Sequence, residues 1–268
     1  MSDIVNLYID LLKKCVGNFI YDDDFDLMRG RFVLDPESGK YFSHTPEQAE
    51  ASLKFLGGIW PSRAHTMIGM LRLNNIQYCV EEVLRAGVPG DFIETGVWRG
   101  GATIFMRGLL KAYGVTDRLV WVADSFEGLP RGDLIRYPKE SHSEFHKYGD
   151  LAVSLNEVRR NFERYGLLDD QVRFLKGWFR DTLPTAPIKK LAVMRLDGDL
   201  YESTMDALVN LYTKLSPGGF VIVDDYNAVE SCNAAVEDFR KERLITTELS
   251  MIPGSGAFWR KEAGQFDG

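Results

Sequence analysis

Four aspartates follow two apolar segments of the sequence, MRLDGDLYES and FVIVDDYNAV. Asp197 and Asp199 end the first apolar run, and Asp224 and Asp225 end the second. Carboxylates held close together repel one another unless a cation offsets their charge. Carboxylate oxygens are also the ligands that Mg2+ prefers. The pattern therefore predicts a divalent-cation site at the ends of two buried strands, although an isolated Asp-Asp pair is also common as a helix cap or in a solvated loop.

The elements that would position these carboxylates begin near Gly90, where the sequence changes to an alternation of strands and helices. Apolar runs such as DFIET, RLVWVADSF and KLAVMRLDGD alternate with amphipathic segments such as LNEVRRNFERYG. This alternation is typical of a mostly parallel α/β sheet that is covered on both faces. The segment TTELSMIPGSGAFWRK predicts an antiparallel C-terminal hairpin at one edge. The expected fold class is therefore α/β and Rossmann-like, with an N-terminal helical extension.

We divide the chain into an N-terminal helical cap or substrate lid, residues 1–87, and a catalytic domain, residues 88–268. In the catalytic domain, residues 131–149 are polar and aperiodic, which predicts a mobile active-site loop.

The cap contains several local signals. Thr45-Pro46-Glu47 is typical of a helix start, and GRFVLDPESGKYF predicts a loop or a hairpin. A longer helix is expected from about Thr66 to Gly87. The side chains that this helix should bury are Leu71, Cys79, Val80, Val83 and Leu84.

The turn ETGVWRGG, after the first strand of the catalytic domain, indicates the cofactor. Its glycines do not match G-x-G-x-x-G, and Ala102-Thr103 stands where a P-loop has Lys-Ser/Thr. Glu94 would repel a pyrophosphate but would offset the charge of a sulfonium or an ammonium group. S-adenosylmethionine carries both groups, so it is the favoured cofactor.

Two later strand ends support the same cofactor. Asp124 can accept hydrogen bonds from both hydroxyls of a ribose. Gly177 and Trp178, in KGWF, lie where an adenine would stack. Each signal alone is weak, because a tryptophan is more often a packing residue. On consecutive strands, and in this order, they favour a methyltransferase.

Four segments of the sequence resemble the macrocin O-methyltransferase family. They are HTMIGMLRLNNIQYCVEEVLRAGVPGDFIETGVWRGGATIFMRG, ADSFEGLP, RLDGDLYESTMDAL and GGFVIVDDY. The resemblance implies a class I S-adenosylmethionine-dependent methyltransferase fold and Mg2+ dependence. It also implies transfer of a methyl group to a sugar hydroxyl of a glycosylated natural product of the antibiotic type. A homo-oligomer is the expected assembly.

The resemblance also implies the site residues. Asp197, Asp224 and Asp225 would bind the metal, and Asp197 would be the general base. The residues expected to bind the cofactor are Glu94, Thr95, Gly96, Asp124, Ser125, Gly177, Trp178 and Asp197. For Asp199, a role as helix N-cap is favoured over a second carboxylate beside the metal ligands.

The histidines carry weaker signals. His142 and His146 have an i, i+4 spacing, but their context favours solvated or substrate-facing side chains. For His65, packing at a helix start is favoured over contact with the cofactor or the substrate.

Three alternative functions stay open. A catechol-type O-methyltransferase would use the same fold and metal, and a non-catalytic S-adenosylmethionine-binding protein would use the same cofactor turn. Asp197-Gly198-Asp199 also has the D-x-D spacing of aspartyl-phosphate phosphatases, which carry it on the first strand of their domain.

The composition excludes other classes of protein. The chain has 268 residues and a formal net charge of -7, which argues against nucleic-acid and membrane partners. The three cysteines, Cys15, Cys79 and Cys232, are scattered, without a disulfide or metal spacing. They predict a reduced, cytoplasmic protein.

Overall fold

The computed structural model describes residues 3–21, 33–34, 41–42, 54–140 and 144–264. The main helices are α1 (Asp3–Val16), α2 (Gly69–Arg85), α3 (Gly101–Ala112), α4 (Leu155–Arg164), α5 (Phe179–Thr182), α6 (Tyr201–Leu211) and α7 (Glu230–Glu242). The strands are β1 (Val33–Leu34), β2 (Tyr41–Phe42), β3 (Asp91–Thr95), β4 (Val120–Asp124), β5 (Val172–Lys176), β6 (Leu191–Leu196), β7 (Leu215–Val223), β8 (Ser250–Met251) and β9 (Ala257–Arg260). The helix start predicted at Thr45-Pro46-Glu47 lies outside the described residues.

A seven-stranded sheet has the order β5-β4-β3-β6-β7-β9-β8. Strands β3 to β7 are parallel, and β9 runs antiparallel to both β7 and β8. The predicted parallel sheet with an antiparallel edge hairpin is therefore confirmed. Thr95 pairs with Leu196, and Leu196 pairs with Val223. Because of this register, Asp197 and Asp224 leave neighbouring strands at the same level.

Helices cover both faces of this sheet, since successive strand residues point to opposite faces. Phe92 belongs to a buried cluster with residues of α1, α2 and α3, whereas Ile93 belongs to a second cluster with residues of α6 and α7. Strand β6 is buried along its whole length, which agrees with its continuous apolar sequence. The short strands β1 and β2 pair antiparallel, and both lie within GRFVLDPESGKYF, for which a loop or a hairpin was predicted.

Helix α2 begins later than predicted, at Gly69 instead of about Thr66. Cys79, Val80 and Val83 are buried as predicted, but Leu71 and Leu84 are half-exposed. The buried stripe instead includes the side chain of Arg72. A charged residue was not expected there, because the stripe was chosen by hydrophobicity alone. The end of the helix at Gly87 is confirmed, since Gly87 follows the last turn with φ +63°.

The loop predicted at residues 131–149 contacts α6 and α7. The Glu140 carboxylate accepts hydrogen bonds from the backbone N–H groups of Tyr201 (3.2 Å) and Glu202 (3.1 Å), at the start of α6. Lys139 donates to Asp238 of α7 at 2.6 Å. These contacts tie the loop to the helix that follows Asp197-Gly198-Asp199. Its mobility stays a prediction.

The described residues contain no helix that is both long enough and apolar enough to span a membrane.

Candidate active site

A cavity of 610 Å³ lies at the carboxyl ends of the central strands. Its size is typical of a small-molecule site. The predicted site residues that line it are Glu94, Gly96, Asp124, Ser125, Trp178, Asp197, Asp224 and Asp225. Thr95 and Gly177 are not among the lining residues. Thr95 is buried in β3 next to Glu94 and points to the other face, and Gly177 forms the turn after β5, where its N–H donates to the Asp124 carbonyl at 2.9 Å.

Gly96 brings the glycine-rich turn after β3 into contact with the backbone of Asp197. It has φ +85°, a conformation that favours glycine. A Cβ at this position would overlap the carbonyl oxygen of Asp197. The glycine therefore permits β3 to turn directly against the backbone of the first predicted metal ligand.

Asp124 is fixed by the turns that follow β3 and β4. Its carboxylate accepts hydrogen bonds from the backbone N–H groups of Val97 (2.7 Å) and Phe126 (2.6 Å). Burial raises the pKa of Asp124, and these hydrogen bonds act in the opposite direction. The role of Ser125 is different. Its hydroxyl donates to the Gly128 carbonyl at 2.7 Å and stabilises the loop after β4.

The three predicted metal ligands lie together. Oxygen atoms of Asp197, Asp224 and Asp225 lie within 4.8 Å of one another. Asp224 and Asp225 are buried, and Oδ2 of Asp225 has no hydrogen-bond partner among the described residues. Burial, together with the charges of Asp199, Asp197 and Asp224, raises the pKa of Asp225 well above its usual range. The negative charge of the cluster is therefore not fully offset within the cluster itself.

Two buried arginines contact this cluster, and the sequence analysis did not assign them to the site. Arg195 is fully buried in β6 and donates to Glu94, Asp197 (2.8 Å) and Asp224. Arg72 donates to the other carboxylate oxygen of Asp224. The repulsion between the aspartates is thus partly offset by the chain itself. The available signal was a single charged residue within an apolar strand, VMRL, and within the buried stripe of α2.

Glu94, which also accepts a hydrogen bond from Arg195, lies outside the aspartate cluster. It is buried, and its Oε2 has no hydrogen-bond partner among the described residues. Burial raises the pKa of Glu94 to about 8, against the lowering effect of Arg195. An unpaired buried carboxylate oxygen is costly, so the side chain is suited to a cationic ligand.

Asp199 does not cap α6, which corrects the favoured interpretation. The N-cap position is Leu200, without a capping side chain, and Glu140 caps the helix from the loop. Asp199 lines the cavity with φ +56°. Its removal from bulk water and the charges of Asp197 and Asp224 raise the pKa of Asp199 to about 8.

His65 lies behind the glycine-rich turn. Its Nδ1 lies 2.7 Å from the hydroxyl oxygen of Tyr165, and its carbonyl accepts from the N–H of Gly101 at 2.8 Å. These contacts favour the packing role. His142 lies outside the described residues, so the expectation of a solvated or substrate-facing side chain stays a prediction for it. His146 is exposed, in a 3-10 turn at Phe145–Lys147.

The buried position of His65 should make stability depend on pH. Burial lowers the pKa of His65 from 6.5 to about 4. Between these values the unfolded chain binds more protons than the folded chain, so stability is lost as the pH falls from about 6.5 to about 4. We expect His65→Gln to lose less stability than the wild type between about pH 7 and about pH 5 in urea unfolding. Equal losses, or a His65 NMR titration near its ordinary pKa, would contradict this.

The family of the chain is shown by a match to a known family model. The sequence matches the family model described as Macrocin-O-methyltransferase (TylF) over residues 5–261. The chain belongs to the macrocin O-methyltransferase family.

Relatives in this family match along almost the whole length of the chain. An 8-demethyl-8-(2,3-dimethoxy-alpha-L-rhamnosyl)-tetracenomycin-C 4'-O-methyltransferase of Streptomyces olivaceus is 55% identical over 98% of this chain and 95% of the relative. A mycinamicin III 3''-O-methyltransferase of Micromonospora griseorubida is 52% identical over 97% of this chain and 98% of the relative. The solved structure of the O-methyltransferase NovP is 49% identical, with a TM-score of 0.85, and covers 96% of this chain and 99% of that structure.

These matches confirm the expected fold class. The chain has the class I S-adenosylmethionine-dependent methyltransferase sheet. Membership of the family also excludes the aspartyl-phosphate phosphatase interpretation of Asp197-Gly198-Asp199. That motif ends β6, in the middle of the sheet, and does not follow its first strand.

Proposed function

We propose that the protein transfers a methyl group from S-adenosylmethionine to a sugar hydroxyl of a glycosylated natural product, with Mg2+ bound by Asp197, Asp224 and Asp225. The observation that carries the proposal is the contact between Gly96 and the Asp197 backbone, which places the cofactor turn and the aspartates in one cavity. The bond between the methyl carbon and the sulfonium sulfur would break as a bond to the hydroxyl oxygen forms. The hydroxyl proton would pass to Asp197.

The cofactor would lie across the ends of β3, β4 and β5. Glu94 offers a buried, unpaired oxygen to its positive charge, and Asp124 is held by backbone N–H groups at the ribose position. Trp178 lines the same cavity beyond β5, where the adenine is expected. Gly96 allows the methionine part of the cofactor to approach the backbone.

The aspartate cluster fits Mg2+. Its oxygens are hard ligands, and Oδ2 of Asp225 lacks a partner among the described residues. Arg72 and Arg195 form ion pairs with Asp224 and offset its charge. Neither of these hydrogen bonds involves Asp225. Bound Mg2+ would orient a hydroxyl and make it more acidic.

Asp197 suits the role of base better than its neighbours. Its side chain is 25% exposed, compared with 5% for Asp224, so it is the more accessible to an acceptor. The hydrogen bond from Arg195 holds its Oδ2 at 2.8 Å and leaves Oδ1 for a proton. Alignment of the hydroxyl with the methyl–sulfur bond would supply most of the remaining acceleration.

The acceptor class rests on the relatives. The tetracenomycin enzyme is named for a rhamnosyl substrate, and the second enzyme is named for mycinamicin III. Aromatic side chains that could face such a scaffold line the cavity, including Trp60 and Tyr148 with ring centroids 5.5 Å apart. Turnover of a rhamnoside but not of a catechol would support the sugar acceptor over the catechol-type alternative. The cytoplasmic location, the homo-oligomer and the two-domain division stay predictions.

Binding of the cofactor can be tested before the acceptor is known. We expect S-adenosylhomocysteine at about a hundred times its dissociation constant to add about 2.7 kcal/mol of stability. Thermal unfolding would measure this, with NAD as the control ligand. A shift with NAD alone would contradict the cofactor assignment.

Turnover then separates the enzyme from a non-catalytic binder. With a glycosylated acceptor, activity should stop on addition of a chelator and return with Mg2+. Full activity in the chelator would contradict the metal site, and cofactor binding without turnover of any acceptor would support the non-catalytic alternative.

A further inference from the structure

The side chain of Arg72, on α2, contacts two other parts of the protein. Its Nε donates to the carbonyl of Ile68 at 2.7 Å, and its Nη2 donates to the carbonyl of Gly57 at 2.9 Å. Its Nη1 donates to Oδ2 of Asp224. Gly57 and Ile68 belong to residues 54–68, which we name the covering segment because much of it lines the cavity. Arg72 therefore joins the covering segment to the aspartate cluster.

The covering segment packs so closely that side chains would not fit at its contact points. A Cβ on Gly57 would overlap Nη2 of Arg72, and Gly57 has φ +74°. A Cβ on Gly69 would overlap the backbone N of Gly57. On the far side, a Cβ on Gly254 would come within 2.9 Å of the Leu56 carbonyl oxygen. The segment is thus held between the start of α2 and the C-terminal hairpin.

Asp224 depends on arginines for its orientation. Arg195 donates to Oδ1 and Arg72 donates to Oδ2, and both guanidinium groups are buried. A guanidinium presents several donors in a fixed plane, whereas a lysine ammonium is a single point charge. Lysine at position 72 could keep the positive charge, but it could not reproduce the three contacts in the same geometry.

We propose that Arg72 is a positioning residue that couples the covering segment to Asp224, so that the cover of the cavity and the orientation of a predicted metal ligand are set together. The catalytic part of this inference rests on the proposed function. The structural part, a shared contact between the segment and Asp224, does not depend on it.

Hydrogen exchange tests the structural part without any ligand. We expect Arg72→Lys to increase exchange in peptides from residues 55–66. Gly57→Ala should also increase it, because its methyl group would overlap both Nη2 of Arg72 and the backbone of Ile68. Gly87→Ala is the matched control, since Gly87 also has a positive φ, +63°, but a Cβ there meets no atom within 4 Å. Unchanged exchange in Arg72→Lys would overturn the proposal, whatever the result for Gly57→Ala.

Kinetics test the catalytic part. Changes to groups that orient a ligating side chain typically cost about 10–100-fold in activity or metal affinity, and we expect a loss of this size in kcat/KM for Arg72→Lys. The affinity for S-adenosylhomocysteine, measured by calorimetry, should stay within about 3-fold of wild type, because a factor of that size is under 1 kcal/mol. Arg107→Lys is the control, since Arg107 is also buried and paired with an aspartate, Asp169.

The outcomes are distinguishable. Full activity of Arg72→Lys, or an equal loss in Arg107→Lys, would overturn the positioning role. If the wild type methylated no acceptor, the proposed function would fail, and the exchange experiment would still decide whether Arg72 holds the covering segment.

Discussion

Replacement of Asp197 by asparagine should abolish methyl transfer and leave the affinity for S-adenosylhomocysteine nearly unchanged. The amide keeps the size of the side chain and can still accept the hydrogen bond from Arg195. It can neither take a proton nor supply a negative ligand atom to a metal. Loss of a general base alone typically costs about 10²–10⁴-fold. Single-turnover kinetics and calorimetry would measure the two effects separately.

Asp206 provides the matched control for this variant. It also lines the cavity, but it lies on α6 and is not part of the aspartate cluster. We expect Asp206→Asn to keep most of the activity. An active Asp197→Asn enzyme would remove Asp197 from the role of base. Equal losses in both variants would show that any change of charge in the cavity is sufficient.

Replacement of Arg195 by methionine should destabilise the protein more than any surface substitution. The guanidinium is fully buried and donates to Glu94, Asp197 and Asp224. Without it, the buried Glu94 would lose its cationic partner, and Asp224 would keep only Arg72. Removal of one partner from a buried ion pair typically costs about 3–5 kcal/mol, and here three carboxylates depend on the same group. Urea unfolding at neutral pH would measure the free energy of unfolding.

A second buried arginine, Arg107, tests whether the loss of stability comes from the site and not from the removal of any buried arginine. Arg107 is 3% exposed, but its partner Asp169 is 36% exposed and can be solvated once the pair is broken. Arg107→Met should therefore cost clearly less than Arg195→Met. If the two variants were equally stable, the carboxylates around Arg195 would not depend on it for charge compensation. Arg195→Lys should recover part of the lost stability, because it restores the charge.

The sheet and the order of the site motifs were predictable because they depend on local patterns. Continuous apolar runs indicated the parallel strands, and the carboxyl ends of parallel strands meet at one edge. Asp124, Asp197 and Asp224 therefore had to lie at that edge once the strands were identified. The closeness of Asp197, Asp224 and Asp225 follows from the register between Leu196 and Val223.

The charge compensation of the site was not predictable, because it depends on contacts between distant residues. Arg195 meets Glu94 across 101 positions of the chain, and Arg72 meets Asp224 across 152. The local spacing of apolar and polar residues in the sequence does not indicate such a contact. The helix cap of α6 was missed for the same reason. Asp199 is adjacent in sequence to the helix, yet the capping carboxylate comes from Glu140 in the preceding loop.

The position of β9 has a consequence for how the chain folds as it is synthesised. Strand β9 lies between β7 and β8 in the sheet, although it follows both in the sequence. Until Ala257–Arg260 has been made, β7, the strand that ends at Asp224 and Asp225, has an unpaired edge. Such edges readily pair with other chains, and partly folded intermediates of this kind aggregate. The strand that carries Asp224 and Asp225 is therefore paired on both edges only late in synthesis, and a nascent chain that stalls before β9 exposes it.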